Sequence, residues 1–220
     1  MMHDLVPVGR PVGPDPWPGS SGTDCRLWVG WPAWSRPEWR VIVKPEPEEI
    51  PMKSTDVLVD AFERVRDAVY PAVSGLSADD LAFRPDPESN SISWLVWHLT
   101  RIQDDHVAGL ARDEQVWTAG GWVDRFALPI DPADTGYGHD SDTVALVTAD
   151  APSLLDYFEA VHDKTLAFIG SLSDPDLVRI VDRNWDPPVT LGVRLVSVIS
   201  DDLQHVGQAA YVRGILERRR

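Results

Sequence analysis

The chain has 220 residues, 43% of them hydrophobic, with a formal net charge of −15 and a single cysteine, Cys25. That length holds one domain of roughly 150–200 residues plus an extension. The negative charge argues against a nucleic-acid binder or a partner of anionic membranes, and one cysteine excludes both an intramolecular disulfide and a cysteine-based zinc site.

No run reaches the roughly 18–20 apolar residues of a membrane span. The N-terminus has no basic segment followed by an apolar core, so no signal peptide is predicted and a cytoplasmic location is expected. Residues 1–51 stand apart from the rest. They hold ten of the nineteen prolines and five of the ten tryptophans, and no helical period survives so many prolines. Within them Arg40–Lys44, RVIVK, reads as a short strand. A Pro/Trp docking arm and a poorly ordered tail both suit this composition. The preferred reading is an irregular upstream extension that is not part of the working protein, with Met52 opening a domain over 52–220.

From Ser54 the pattern turns helical. Val57, Leu58, Ala61, Phe62, Val65 and Val69 recur at three- and four-residue steps, the period of a helix with one buried face. Ser54 or Thr55 is the expected cap, and Pro71 is expected to bend or end the helix. Residues 77–89 read as a polar connection, with RPDPESN as a turn. A second helix is predicted from Asn90 or Ser91 to about Arg112, with Ile92, Leu95, Val96, Leu99, Ile102 and Val107 as its stripe. Residues 113–149 are rich in glycine and proline, a long connection of the kind that carries function or a crossover. A short helix or turn fits Trp117 to Trp122. A third helix is predicted over 151–172, capped by Asp150, with Pro152 in the tolerated first turn. A polar link follows, with an extended piece at 178–182, and then a fourth helix over 191–217. Four long amphipathic helices with little strand signal predict an all-α four-helix bundle. The long connection between the second and third lets those two run parallel.

The chemistry-bearing residues gather on the second and fourth helices. In SDDLQHVGQ, Asp201 and His205 are four apart and share a helix face, with Gln208 three residues further on. In SISWLVWHLTRIQDDH, His98 stands among tryptophans and aliphatics, where a polar ring needs a partner. Together His98, Asp201 and His205 form a candidate three-ligand metal site. Each also has a plain structural reading: a solvated Asp–His hydrogen bond on the fourth helix, a hydrogen-bonded core histidine on the second. Asp105 lies two turns from His98 on the same face and is a candidate base or substrate-orienting group, against a solvent-facing helix end. Arg101 is a candidate carboxylate binder, against a salt bridge with Asp104 or Asp105. Trp94, with Trp97, is a candidate pocket wall, and Gln208 a second pocket residue. Asp202, rotated about 100° from Asp201, reads as an outward charge or a helix-contact residue. His106 is a weaker ligand candidate, and His139 and His162 have no evident partner.

At these two motifs the sequence resembles the DinB/YfiT-like superfamily, and most closely its actinobacterial branch of mycothiol S-transferase-like proteins. The resemblance runs from about Thr55 to Arg218, by helix order as well as motif. It implies a four-helix bundle with a long second connection. It also implies a divalent metal, zinc or nickel above all, held by a histidine of the second helix and two residues four apart on the fourth. His98, in its WHL context, matches the first ligand and His205, in HVGQ, the last. Asp201 falls where most members carry histidine and the mycothiol-dependent maleylpyruvate isomerases carry glutamate. One carboxylate and two imidazoles suit zinc, nickel or iron. Three protein ligands leave a position open, as in catalytic sites, and a metal-bound thiol loses its proton near neutral pH. The leading expectation is a metal-dependent thiol S-transferase or isomerase that uses mycothiol or a similar small thiol against an electrophilic small molecule. The alternative is a non-catalytic metal- or ligand-binding bundle, with a homodimer as a further expectation. A third reading has no metal. The absence of paired Glu-x-x-His motifs argues against a di-iron carboxylate bundle.

Overall fold

The computed structural model describes residues 51–219. The N-terminal extension and the Arg40–Lys44 strand expected from sequence lie outside the described residues. Four long helices carry the fold: α1 (Ser54–Val73), α3 (Ile92–Ala111), α7 (Ala151–Gly170) and α9 (Leu191–Arg218). Short elements fill the connections: α2 (Ala78–Ala82), α4 (Val116–Ala119), α5 (Trp122–Phe126), α6 (Ser141–Leu146), α8 (Asp174–Leu177), and an antiparallel hairpin of β1 (Ile180–Asp182) and β2 (Val189–Thr190). The architecture is all-α apart from that hairpin.

The helix starts follow local chemistry. Ser91 Oγ accepts the Trp94 N–H at 3.1 Å, and Asp150 accepts the Ser153 N–H at 2.8 Å, each satisfying an orphan donor of a first turn. The start of α1 differs from expectation. Lys53 is its N-cap; it has no side-chain oxygen, and instead the Asp56 carboxylate accepts the Lys53 N–H at 2.9 Å. Pro71 does not end the helix at its own position. It lies in the last turn of α1, where few hydrogen bonds depend on it. The expected polar connection at 77–89 contains α2, whose first turn is closed by Ser77 and Asp80.

The directions of the four helices follow from their contacts. Arg213 of α9 donates to the carbonyls of Pro71 and Ser74 at the end of α1. Near both helix starts, Leu58 and Phe62 cluster with Leu191 and Leu195, so α1 and α9 run the same way. On α7, Glu159 pairs with Arg66 at 2.7 Å and His162 faces Glu63 at 3.7 Å, so numbers rise on one helix as they fall on the other. His98 of α3 faces His205, while His106, further along α3, lies in a cleft with Arg194. Thus α3 is antiparallel to α9 and parallel to α7, the arrangement that the long 112–150 connection permits.

The core is aliphatic and aromatic: Phe62, Val65 and Val69 of α1, Leu95, Val96 and Leu99 of α3, Leu154 and Phe158 of α7, and Leu195, Val206 and Ala209 of α9 are all buried. Each large side chain buried this way contributes about 1.5–3 kcal/mol. The helix α3 is buried on nearly every face from Ile92 to Arg101, because the bundle covers one side and the long connection covers the other. Asp104 fastens that cover. Its carboxylate accepts the N–H groups of Val116 and Trp117 at 2.8 and 2.7 Å and the Tyr157 hydroxyl at 2.9 Å. Burial and the neighbouring Asp104 charge hold the Tyr157 phenol well above its ordinary pKa, so it stays a donor.

Candidate metal centre

Three ligand-type side chains converge where α3 crosses α9. His98, Asp201 and His205 each offer one ligand atom, and these atoms all lie within 4.8 Å of one another. Asp201 and His205 meet because one helical turn separates them; Asp201 Oδ1 is 3.6 Å from His205 Nε2, an ion-pair contact rather than a direct hydrogen bond. His98 arrives from the facing helix, its ring 4.8 Å from that of His205 and nearly perpendicular to it.

Each imidazole is oriented through its other nitrogen. His98 Nδ1–H donates to the Thr135 carbonyl at 2.5 Å, and His205 Nδ1–H donates to Gln208 Oε1 at 2.9 Å. Both bonds leave Nε2 as the free lone pair, the tautomer that a metal-binding histidine needs. Trp94 stacks on His98 with ring centroids 4.5 Å apart and meets the His205 ring edge-on at 6.1 Å. The site is thus walled by an indole on one side.

Electrostatics prepare the same set. Burial holds the His98 imidazole below its ordinary pKa, against the pull of the Thr135 carbonyl and the Asp201 charge, so the ring is neutral. Burial alone would raise the Asp201 carboxyl, but His205 and the other nearby histidines outweigh it and hold it below the usual carboxylate range. Attraction to Asp201 raises His205. The set offers one carboxylate and two imidazoles. Asp201 Oδ2 is buried and has no hydrogen-bond partner among the described residues, an unmet acceptor of the kind a cation satisfies. Ligand atoms around a tetrahedral zinc ion lie about 3.4 Å apart, given bonds of about 2.1 Å. The Asp201–His205 contact already has that spacing, and the widest pair exceeds it by about 1.4 Å. The donor set therefore fits a divalent ion.

The other residues singled out from sequence have different places. Trp94 and Gln208 both touch the triad, as described. Arg101 does not face an open site: it is 1% exposed, and its guanidinium donates to the Asp134 carbonyl at 3.1 Å and to Gln115 Oε1 at 2.8 Å, with Asp104 at 3.7 Å. It holds the connection onto α3. Asp105 stands outside the triad and accepts from Gln115 Nε2 at 2.7 Å. Asp202 is no outward charge. It is 0% exposed, neither oxygen has a hydrogen-bond partner among the described residues, and burial followed by repulsion from Asp201 pushes its carboxyl well above its ordinary pKa.

Three residues of the connection belong to the site and escape sequence reasoning. Thr135 supplies the carbonyl that fixes His98. His139 Nδ1 accepts from Trp94 Nε1 at 3.2 Å, and its ring stacks on Trp97 at 6.0 Å. Gly136 has φ +94°, and a Cβ built there would stand 2.6 Å from His98 Nδ1 and 3.1 Å from both Trp94 and Trp97. Only glycine permits both that backbone and that approach. The glycines at 136 and 138 signal a turn in the sequence, but not which side chain the turn covers.

Comparison with known proteins gives a consistent placement. A family profile described as the DinB superfamily matches residues 61–209. A solved structure from Enterococcus faecalis, described as a conserved protein of locus, is similar with a TM-score of 0.70 and 30% sequence identity, covering 74% of this chain and 96% of that one. No curated protein matches.

Proposed function

Because the chain belongs to the DinB superfamily, we propose that His98, Asp201 and His205 hold a divalent metal ion, zinc or nickel, and that the protein uses it to transfer or isomerise with a small thiol such as mycothiol. The observation that carries this reading is the convergence of the three donors with both Nδ1 positions already committed to acceptors. A bound ion of this kind lowers the proton affinity of a thiol, so that a thiolate is present near neutral pH. The protein's own part is to bind and orient. Thr135 and Gln208 fix the two imidazoles, Trp94 shields one side from water, and Gly136 lets the connection close over His98. Three protein ligands leave room for a small molecule. Cys25 need not serve as the nucleophile, since the thiol arrives as co-substrate.

The test has two stages. Elemental analysis and competitive chelator titration of untagged protein should show one divalent ion per chain, removed by replacing His98 with alanine. Turnover with mycothiol and an activated electrophile should then depend on that ion. Metal without turnover would support a non-catalytic binding bundle, and no metal at all would refute the proposal.

A further inference from the structure

The outward side of α9 differs from the outward sides of α1 and α7. Those carry Asp56, Asp60, Arg64 and Asp67 on α1, and Asp156 and Asp163 on α7. Between Val193 and Tyr211, α9 exposes ten residues, and none of them is charged. Val193, Val196, Leu203 and Tyr211 are the large apolar ones. Their steps of three, seven and eight residues keep them on one side of the helix, in a stripe about 27 Å long. Single exposed apolar side chains are ordinary, but a continuous uncharged stripe marks a contact surface.

The stripe has a protrusion near one end and a hollow near the other. Tyr211 is 68% exposed. Fourteen residues earlier, Ser197 lines a hollow of about 220 Å³ together with Val189, Arg194 and Trp185, which is itself 66% exposed. Fourteen residues are nearly four turns, so Ser197 and Tyr211 lie within about 40° of each other round the helix and about 21 Å apart along it. Their midpoint is Gln204. Ser200 and Gly207 flank it, and nothing stands within 4 Å of a Cβ built on Gly207, so a second helix has room to approach there. Two such stripes laid antiparallel about Gln204 bring the Tyr211 of each over the hollow of the other, the same contact made twice. A partner of another kind would give no reason for that match within one face.

Charge and area point the same way. Two chains of net charge −15 repel one another, and they meet at least cost where neither brings a charge. Arg194, the charged group beside the hollow, is already paired with Asp182 at 2.9 Å. Tyr211 and Trp185 each offer about two thirds of the 150–250 Å² that an aromatic side chain can bury. With the rest of the stripe the contact covers about 900–1,400 Å² in all, at the lower end of specific interfaces. That size suits a reversible dimer.

We propose that this face of α9 joins two copies of the chain about a two-fold axis near Gln204, with Tyr211 seated in the hollow beside Trp185. Gln208, which holds His205 at 2.9 Å, is exposed at the edge of the same stripe, so the second copy also covers that flank of the metal centre. The contact itself does not depend on a metal.

Sedimentation velocity on the full chain, over about 1–200 μM, tests it. Wild type should dimerise with a Kd on the order of micromolar. Gln204→Glu sets two like charges at the axis and should weaken association at least about tenfold. Tyr211→Ser removes the aromatic anchor and should do the same. Val57→Glu adds the same charge at an exposed position of α1 and should change the Kd less than about twofold, because that position lies off the stripe. A monomer throughout the range, a dimer that either stripe substitution leaves intact, or one that Val57→Glu weakens equally overturns the proposal.

Discussion

Replacing Gly136 by alanine tests the link between the connection and the metal centre. Two costs arise from the structure. A side chain at φ +94° carries a backbone penalty of about 1–2 kcal/mol. The new Cβ would also stand 2.6 Å from His98 Nδ1 and 3.1 Å from the Trp94 and Trp97 rings, so the His98 ring must shift and weaken its bond to the Thr135 carbonyl. Losing a buried hydrogen bond costs about 1–3 kcal/mol more. Together these give about 2–5 kcal/mol, or a fall in melting temperature of about 4–20 °C for a chain of this size. Metal affinity should drop about 10–100-fold, the usual effect of disturbing a group that orients a ligand. Gly138→Ala is the control, because Gly138 lies in the same segment with φ +78° and has nothing within 4 Å of its virtual Cβ. It should show the backbone penalty alone and leave metal affinity unchanged. Thermal melts by circular dichroism and titration against a chelating dye read both quantities. Identical behaviour of the two variants would refute the close approach to His98 and the positioning role derived from it.

Further outcomes follow from other parts of the structure. Asp201→Ala should weaken metal binding by orders of magnitude, and Asp201→His should keep or raise it; equal chelator titrations for wild type and the alanine variant would remove Asp201 from the ligand set. Asp104→Ala should cost about 3–5 kcal/mol in urea denaturation, because it strands the buried Arg101 charge and frees two N–H groups and the Tyr157 hydroxyl; a loss below 1 kcal/mol would contradict that anchoring role. The Glu159–Arg66 pair predicts part of the acid stability profile. Burial raises the Glu159 carboxyl, but its bond to Arg66 and the Tyr70 hydroxyl outweigh this and leave it lowered. Its contribution is therefore complete above the unfolded value of about 4.3 and is lost as pH falls through the lower folded value. Glu159→Gln should show a smaller fall in melting temperature than wild type below that pH, and parallel profiles would refute the assignment.

The sequence by itself determined what depends on local geometry. The period of 3.6 residues marked the four long helices and their buried faces. Ser91 and Asp150 were legible as caps because a cap contacts its own first turn. Asp201 and His205 were legible as a pair for the same reason, since four residues on a helix bring two side chains together in any fold. The motif context added His98, and the structure places all three within 4.8 Å. What only the tertiary structure decided is how α3 is covered. Its partners Thr135, Asp134 and His139 lie 37, 33 and 45 residues from His98, Arg101 and Trp94, and no periodicity encodes contacts at that range. A helix buried on both sides can place a charged residue inward on either face. Arg101 therefore became a buried anchor rather than a substrate group. Asp202, on the bundle-facing side of α9, is buried, which suits the helix-contact reading rather than the outward charge.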